Sequence, residues 1–410
     1  MPIFTLRAAA LAAALLPLFV EAAPLSLETA LDLAVQRSET ARSARAGVSS
    51  ASEAARAAGQ LPDPTLRAGV DNLPVTGSDR FNTTRDSMTM KRIGISQEWL
   101  SRDKRAARQA AAEASVSREA AQAEAAVAET RLQTALAYLD AFYAAEALKL
   151  TTLMEHHAHE ELEASRGRLS SSTGNSQEVL VLTGARGTAE DESAEVRQQQ
   201  SAANVALQRW VGTQADELSP AALVAVPSEQ EFVARHPRVV AMQCDIDVAK
   251  QTVAVASSER KPNWTWEVSY GQRTGHSDMV SVGVSIPLQT ARDQRQDRET
   301  ASKLALVNKA EADLAEATRA ATAEYLALSS DVQRLQERIE RHRAGVVTPA
   351  VQRTATATAS YRSNQTSLVT LFEARHAEVD AQRKLLNLQR DLAKSQAQLA
   401  FKPLTLGAAQ

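Results

Sequence analysis

The sequence predicts a mainly α-helical chain with a membrane β part, in which long helical hairpins occur twice and each carries a pair of strands. Three observations carry this reading. From Arg102 to about Leu169 there is no proline and a single glycine, Gly167, in a run rich in Ala, Glu, Gln, Arg and Leu. At about 1.5 Å rise per residue such a run makes one helix of roughly 100 Å, far longer than an ordinary globular helix. A second run, from about 292 to 361, is interrupted only by Gly345 and Pro349. The third observation is a strict alternation of Trp264, Trp266, Val268 and Tyr270 with Thr265, Glu267 and Ser269, the period of a strand with one apolar face.

Composition fits packed helices better than a bulky globular interior. Apolar residues make up 44% of the chain but aromatics only 4%, and alanine is abundant, which suits close helix contacts. A net charge of -3, with basic and acidic residues mixed along the same helices, argues against a nucleic-acid partner. The lone Cys244 excludes an intrachain disulfide and reads as a small packing residue.

At the N-terminus, Arg7 precedes an apolar run from Ala8 to Val20, and Val20-Glu21-Ala22 offers small residues at a cleavage site. Residues 1–22 therefore read as a signal peptide. The apolar run of about 13 residues is too short to cross a bilayer as a helix, which takes ~20, and no later stretch reaches that length.

The first repeat, 23–211, opens with an amphipathic helix to about Gly59, its stripe formed by Leu27, Ala30, Leu31, Ala34 and Val35. Pro62 and Pro64 end helical backbone. Strands follow at about 65–72 and 88–98, with Leu66, Ala68 and Val70 on one face of the first and Ile93 and Ile95 on one face of the second. The long helix is expected over 102–169, a Ser/Gly/Asn turn over Ser170 to Ser176, and a return helix over 177–210.

After a connector at 212–228, the second repeat at 229–402 restates the order. It gives a helix from Glu229 to Glu259, strands at about 263–272 and 279–288, a long helix at 292–361 and a return helix at 367–401. A tail at 403–410 closes the chain. A single offset carries Gly94 onto Gly283, Ser96 onto Ser285, Asn175 onto Asn364, Leu182 onto Leu371 and Ala185-Arg186 onto Ala374-Arg375. One offset at such separated points indicates an internal duplication.

The second strand pair carries the clearest chemistry. Val280, Val282, Val284, Ile286 and Leu288 alternate with Ser281, Gly283, Ser285 and Pro287, matching the length and period of a transmembrane β-strand. Trp266, Val268, Val282 and Val284 are the candidate lipid-facing residues. Four strands do not close a barrel, and open edges in lipid cost several kcal/mol for each unsatisfied group, so the chain must associate. Two copies give an eight-stranded barrel filled by side chains. Three give twelve strands and an aqueous lumen, and a channel favours three.

These residues resemble the TolC-like outer-membrane factors, and their motifs resemble the heavy-metal (Czc-type) efflux branch. The likeness rests on Leu25-Ser26-Leu27-Glu28, Gly59-Gln60-Leu61-Pro62-Asp63-Pro64, Ile95-Ser96-Gln97-Glu98, Lys104-Arg105, Val282-Gly283-Val284-Ser285-Ile286-Pro287-Leu288 and Leu371-Phe372-Glu373-Ala374-Arg375. It covers essentially the whole mature chain. The resemblance implies a homotrimer with a twelve-stranded outer-membrane β-barrel and a coiled-coil tunnel across the periplasm. It implies docking on a periplasmic adaptor (a membrane fusion protein) and an inner-membrane proton-driven pump of the resistance-nodulation-division class, with zinc, cobalt and cadmium as exported ions. It assigns the gate to the helical tips, with Tyr361 at the matching tyrosine and Glu373 at an acidic position of the narrowest lumen. Here the sequence departs from the pattern, because Ser363-Asn364 stands where a glycine is expected and Thr366 where a basic residue is.

No catalytic arrangement and no cofactor motif stands out. His156 and His159, one helical turn apart, are the candidate metal ligands, against a solvated helix face as the plainer reading. Met88, Met90 and Met279 read as lipid or packing contacts. A type I secretion or drug-efflux duct would use the same architecture. A periplasmic coiled-coil adaptor would explain the helices and the signal peptide but not the strand pairs.

Overall fold

The computed structural model describes residues 24–215, 217–221 and 225–404; the expected signal peptide at 1–22 and nearly all of the expected C-terminal tail lie outside them. Among the described residues the order is helix, helix, strand, strand, long helix, return helix, given twice. Helices α1 (Leu27–Arg37) and α2 (Glu39–Ala58) precede strands β1 (Thr65–Asp71) and β2 (Met90–Trp99), then α3 (Arg102–Ser170) and α4 (Ser176–Val211). The second series is α5 (Glu229–Ala234), α6 (Pro237–Ser258), β3 (Trp264–Gln272), β4 (Met279–Ser285), α7 (Gln296–His342), a π-helical segment (Arg343–Val347), α8 (Thr348–Arg362) and α9 (Leu368–Phe401).

Local chemistry accounts for the breaks. Ser38 ends α1 and its side chain accepts from the Ala41 amide at the start of α2, so the expected single helix is two. Pro237, at the first turn of α6, likewise splits the helix expected from Glu229 to Glu259. The second long rod starts at Gln296 rather than 292. It passes Gly345 through a π segment, whose wider turn carries the chain past the missing N–H of Pro349 without ending the rod. The strand expected to reach Leu288 stops at Ser285, because β3 offers its last partner at Thr265 and Pro287 has no N–H to give.

Helix α3 has no single apolar stripe, because its neighbours change along its length. It packs on α2, α4, α6 and α9. Ser101 caps its first turn and Asp103 and Arg168 complement its dipole. Midway, the buried Tyr138 hydroxyl lies 2.7 Å from the Leu25 carbonyl and 2.6 Å from that of Ser219, where Leu25 and Leu218 form a parallel bridge. The chain's start and its central connector are thus fastened to one point on the long rod. A separate apolar cluster of Met154, Leu162, Leu182, Leu368 and Phe372 closes the end formed by the two helical turns.

The four strands form one antiparallel sheet in the order β1-β2-β3-β4. The central β2–β3 pairing joins the two repeats. Its two strands approach closely at Gly94, where an added Cβ would lie 2.6 Å from Ser269 Cβ and 2.9 Å from the Val268 carbonyl oxygen.

The turns correct one detail of the duplication. Ser172 (φ 60°) and Asn364 (φ 56°) hold the same left-handed position, and Asn175 and Ser367 cap the two return helices. Backbone geometry therefore equates Asn364 with Ser172 and not with Asn175. A short polar residue tolerates positive φ, and this preference decides the match.

Candidate functional site

The register fixes which side chains share each face of the sheet. Trp266 stands opposite Val284, Val268 opposite Val282 and Tyr270 opposite Val280, while Ile95 and Ile93 continue the same face across β2 and Leu66 and Ala68 across β1. The other face carries Arg67, Arg92, Glu267, Ser269 and Ser285. The apolar face is open, with Val282 74% exposed, while the polar face is sheltered only at the centre, where Ser269 is 4% exposed, and Arg67, Ser281 and Ser285 are exposed. Val268 and Val284 are also exposed, and Trp266 is half-buried.

The polar face carries charge in pairs, with Arg92 2.8 Å from Asp71 and Arg67 3.5 Å from Glu267. At the end leading into the long helices, the rings of Trp99 and Trp264 lie 5.9 Å apart. Tyr270 marks the other end of β3. Aromatic rings at both limits of an apolar band are the pattern of a membrane-crossing strand, because amphipathic rings sit at the two interfaces.

Far along the chain from this sheet, the two turns come together. Glu178 at the start of α4 accepts a hydrogen bond from the Leu368 amide at the start of α9 (3.1 Å) and lies 3.9 Å from Arg168. One carboxylate thus caps the helix of the other hairpin. Glu161 of α3, nearly buried, lies 2.7 Å from Arg375 of α9. Burial pushes its carboxyl up to about 7 against the opposing pull of Arg375. A groove lined by Glu160, Tyr361, Arg362, Leu371 and Arg375 opens beside this pair.

The expected site residues fall in different surroundings. Tyr361 packs on Ala357, Leu371 and Ala374 of its own hairpin and also against the cluster of Met154, Leu162, Leu182, Leu368 and Phe372 that spans both hairpins. Glu373 is exposed and makes no ion pair among the described residues. His156 lies 3.2 Å from Glu160, which also takes His157 at 3.4 Å, leaving His159 exposed on its own. The tract does not draw His156 and His159 into one three-ligand group. Sequence reading missed Glu161 and Glu178, whose hydrogen-bond partners Arg375 and Leu368 lie in the other half of the chain, although Arg375 stood in a repeated Ala-Arg pair.

This is the fold of the TolC-like outer-membrane channels. The chain is similar to the outer membrane protein VceC from Vibrio cholerae (18% identity over 92% of this chain and 96% of that one, TM-score 0.73). It is similar to CusC, described as undergoing conformational changes on folding and transmembrane channel formation (15% identity, 92% and 91%, TM-score 0.73). It also resembles the open state of the Neisseria gonorrhoeae MtrE outer membrane channel (16% identity, 92% and 88%, TM-score 0.72). No family model and no curated protein matches the sequence, so the likeness is one of fold.

Proposed function

We propose that the chain is the outer-membrane channel of a tripartite efflux system, a homotrimer that exports divalent metal ions through a helical tunnel. The observation that carries this reading is a sheet with one unbroken apolar face, Val282 being 74% exposed on it, and one polar face whose charges are paired. An apolar face turned outward suits lipid, and a polar, charge-paired face suits a water-filled lumen. The outer edges of β1 and β4 have no partner among the described residues, so in a bilayer each must pair with another copy. Three copies close a barrel of twelve strands with room for a lumen. The long hairpins then cross the periplasm and present their turns to an adaptor and an inner-membrane pump.

Metal export is the finer part of the proposal and rests on the motifs of the sequence. The same barrel and tunnel would serve drug efflux or type I secretion. A strain lacking the protein separates these: loss of zinc, cobalt or cadmium tolerance supports metal export, and loss of drug tolerance alone overturns it. Cell fractionation tests the coarser claim. A heat-resistant trimer in outer-membrane detergent extracts is expected, and a monomer released by osmotic shock would instead indicate a soluble adaptor.

A further inference from the structure

We propose that Glu192 of α4 and His376 and Asp380 of α9 form a binding site for a divalent transition-metal cation of the zinc class, bridging the two return helices. The site goes beyond export and holds whether or not the chain conducts ions.

The geometry is specific. One ring nitrogen, His376 Nε2, lies 3.7 Å from Glu192 Oε1 and 3.5 Å from Asp380 Oδ2. Ligands at about 2.1 Å from a tetrahedral zinc lie about 3.4 Å from one another, and both distances from His376 Nε2 are close to this value. All three lie within 4.8 Å of one another.

The remaining carboxylate oxygens are occupied elsewhere. Arg383 Nη1 lies 3.4 Å from Glu192 Oε2 and 3.9 Å from Asp380 Oδ1. The guanidinium therefore hydrogen-bonds the outer oxygen of Glu192 and lies near that of Asp380, while the inner oxygen of each faces the imidazole. This is the role of an outer shell that orients ligands without displacing the ion. The His376 ring is also fixed, stacked on Phe372 with centroids 5.7 Å apart and planes 13° apart.

The donor set is one nitrogen and two oxygens, with no sulfur. Such a set favours zinc, cobalt or nickel over copper(I) or silver, and one or more positions remain for water.

Two features limit the affinity. Arg383 brings a positive charge beside the ion. Metal at Nε2 requires the proton on Nδ1, and that atom is buried with no partner among the described residues. Loss of an outer-shell partner costs about 10- to 100-fold in metal affinity, so the site is exchangeable rather than permanent.

The test uses the full chain, purified in detergent and stripped of metal with a chelator. Titration with zinc chloride by calorimetry is expected to give one ion per chain. His376→Gln, Glu192→Gln and Asp380→Asn should each weaken binding by about tenfold or more, while the double variant His156→Gln, His159→Gln binds as the parent does. Cobalt(II) should give the absorption of a low-coordinate site in the parent and lose it on addition of zinc. Circular dichroism of each variant separates a lost ligand from a lost fold, and Asp380→Asn, at a surface position, keeps the test available if His376→Gln does not fold. A parent that takes up no zinc, or a folded His376→Gln that binds zinc as tightly as the parent, overturns the site. Because the readout is ion uptake, a negative result leaves channel activity to be judged by fractionation and conductance.

Discussion

The Lys104 ammonium lies 2.8 Å from a Glu259 carboxylate oxygen and 2.6 Å from Asn263 Oδ1, with a side chain only 2% exposed. The pair joins the first turn of α3 to the end of α6, where helices give way to strands in both repeats. Arg108 supports it at 3.0 Å, and Asn263 donates in turn to Glu98. The strands and the rods are therefore locked by charge at a joint that also packs Leu100 and the Trp99–Trp264 ring pair.

Removing one side of this joint should hurt unequally. Glu259→Ala leaves a buried ammonium with one neutral partner, and a stranded buried charge costs about 3 to 5 kcal/mol. Glu259 is itself about a third exposed, so water relieves part of this and about 2 kcal/mol is expected. Lys104→Met replaces the charge with an apolar chain of similar length and leaves Glu259 paired with Arg108. Its cost should be smaller. Denaturant unfolding in detergent measures both, and Lys104→Met proving the more damaging of the two would contradict the assignment.

The second prediction concerns the outward face of the sheet. Val284 stands among Trp266, Val268 and Val282, and arginine there faces lipid at a cost of roughly 2 to 4 kcal/mol near the bilayer midplane. Ser285, one residue on, lies on the polar face, and arginine there should be tolerated. Yields of assembled protein in outer-membrane extracts should fall for Val284→Arg and hold for Ser285→Arg. Equal yields would mean that the sheet does not meet lipid in this orientation.

The strands were legible because a period of two names both faces at once: Trp264 to Tyr270 and Val280 to Val284 needed no tertiary context. Their termini were less so, since the end at Ser285 depends on where β3 stops offering partners. The long rods were legible from the spacing of glycine and proline. The matching of the two turns was not, because identity of Asn175 with Asn364 outweighed, in sequence, a backbone preference visible only as a positive φ at Ser172. Among side chains, the histidine tract at His156, His157 and His159 attracted attention by proximity along one helix. Glu192 and His376 escaped it because they meet across two hairpins. His376 and Asp380, four residues apart on one helix face, were the half of that cluster within reach of sequence reasoning.

A third prediction concerns pH at the tip. Burial, opposed by Arg375, raises the Glu161 carboxyl from its ordinary 4.5 to about 7. A carboxyl raised on folding stabilises the protein fully below pH 4.5, and this contribution is lost as pH rises through about 7. Glu161→Gln resembles the protonated form and does not titrate. The difference in apparent melting temperature, variant minus parent, should therefore be greater at pH 8 than at pH 5. A difference that does not change with pH would mean that Glu161 stays ionised throughout, held by Arg375.

The last prediction concerns ion selection and closure, with Glu373 as a cation-attracting ring and Tyr361 as part of the constriction in the proposed trimer. Glu373 is exposed on α9 in a single protomer and has no ion partner among the described residues, which leaves its charge available to a lumen or to bulk water. Like charges converging on a narrow pore attract counter-ions and repel anions. Glu373→Gln removes one charge per protomer with little change of shape, so cation-over-anion selectivity in planar bilayers should fall. The drop should be clearest at low salt, where the screening length is longest. Tyr361 acts differently, since its ring braces Leu371 and Ala374 across the hairpin. Tyr361→Ala should loosen the two tip helices and raise conductance or opening frequency, with selectivity unchanged. Selectivity untouched by Glu373→Gln at low ionic strength would put that carboxylate on the outside of the tunnel, where water neutralises its field before it reaches the pore.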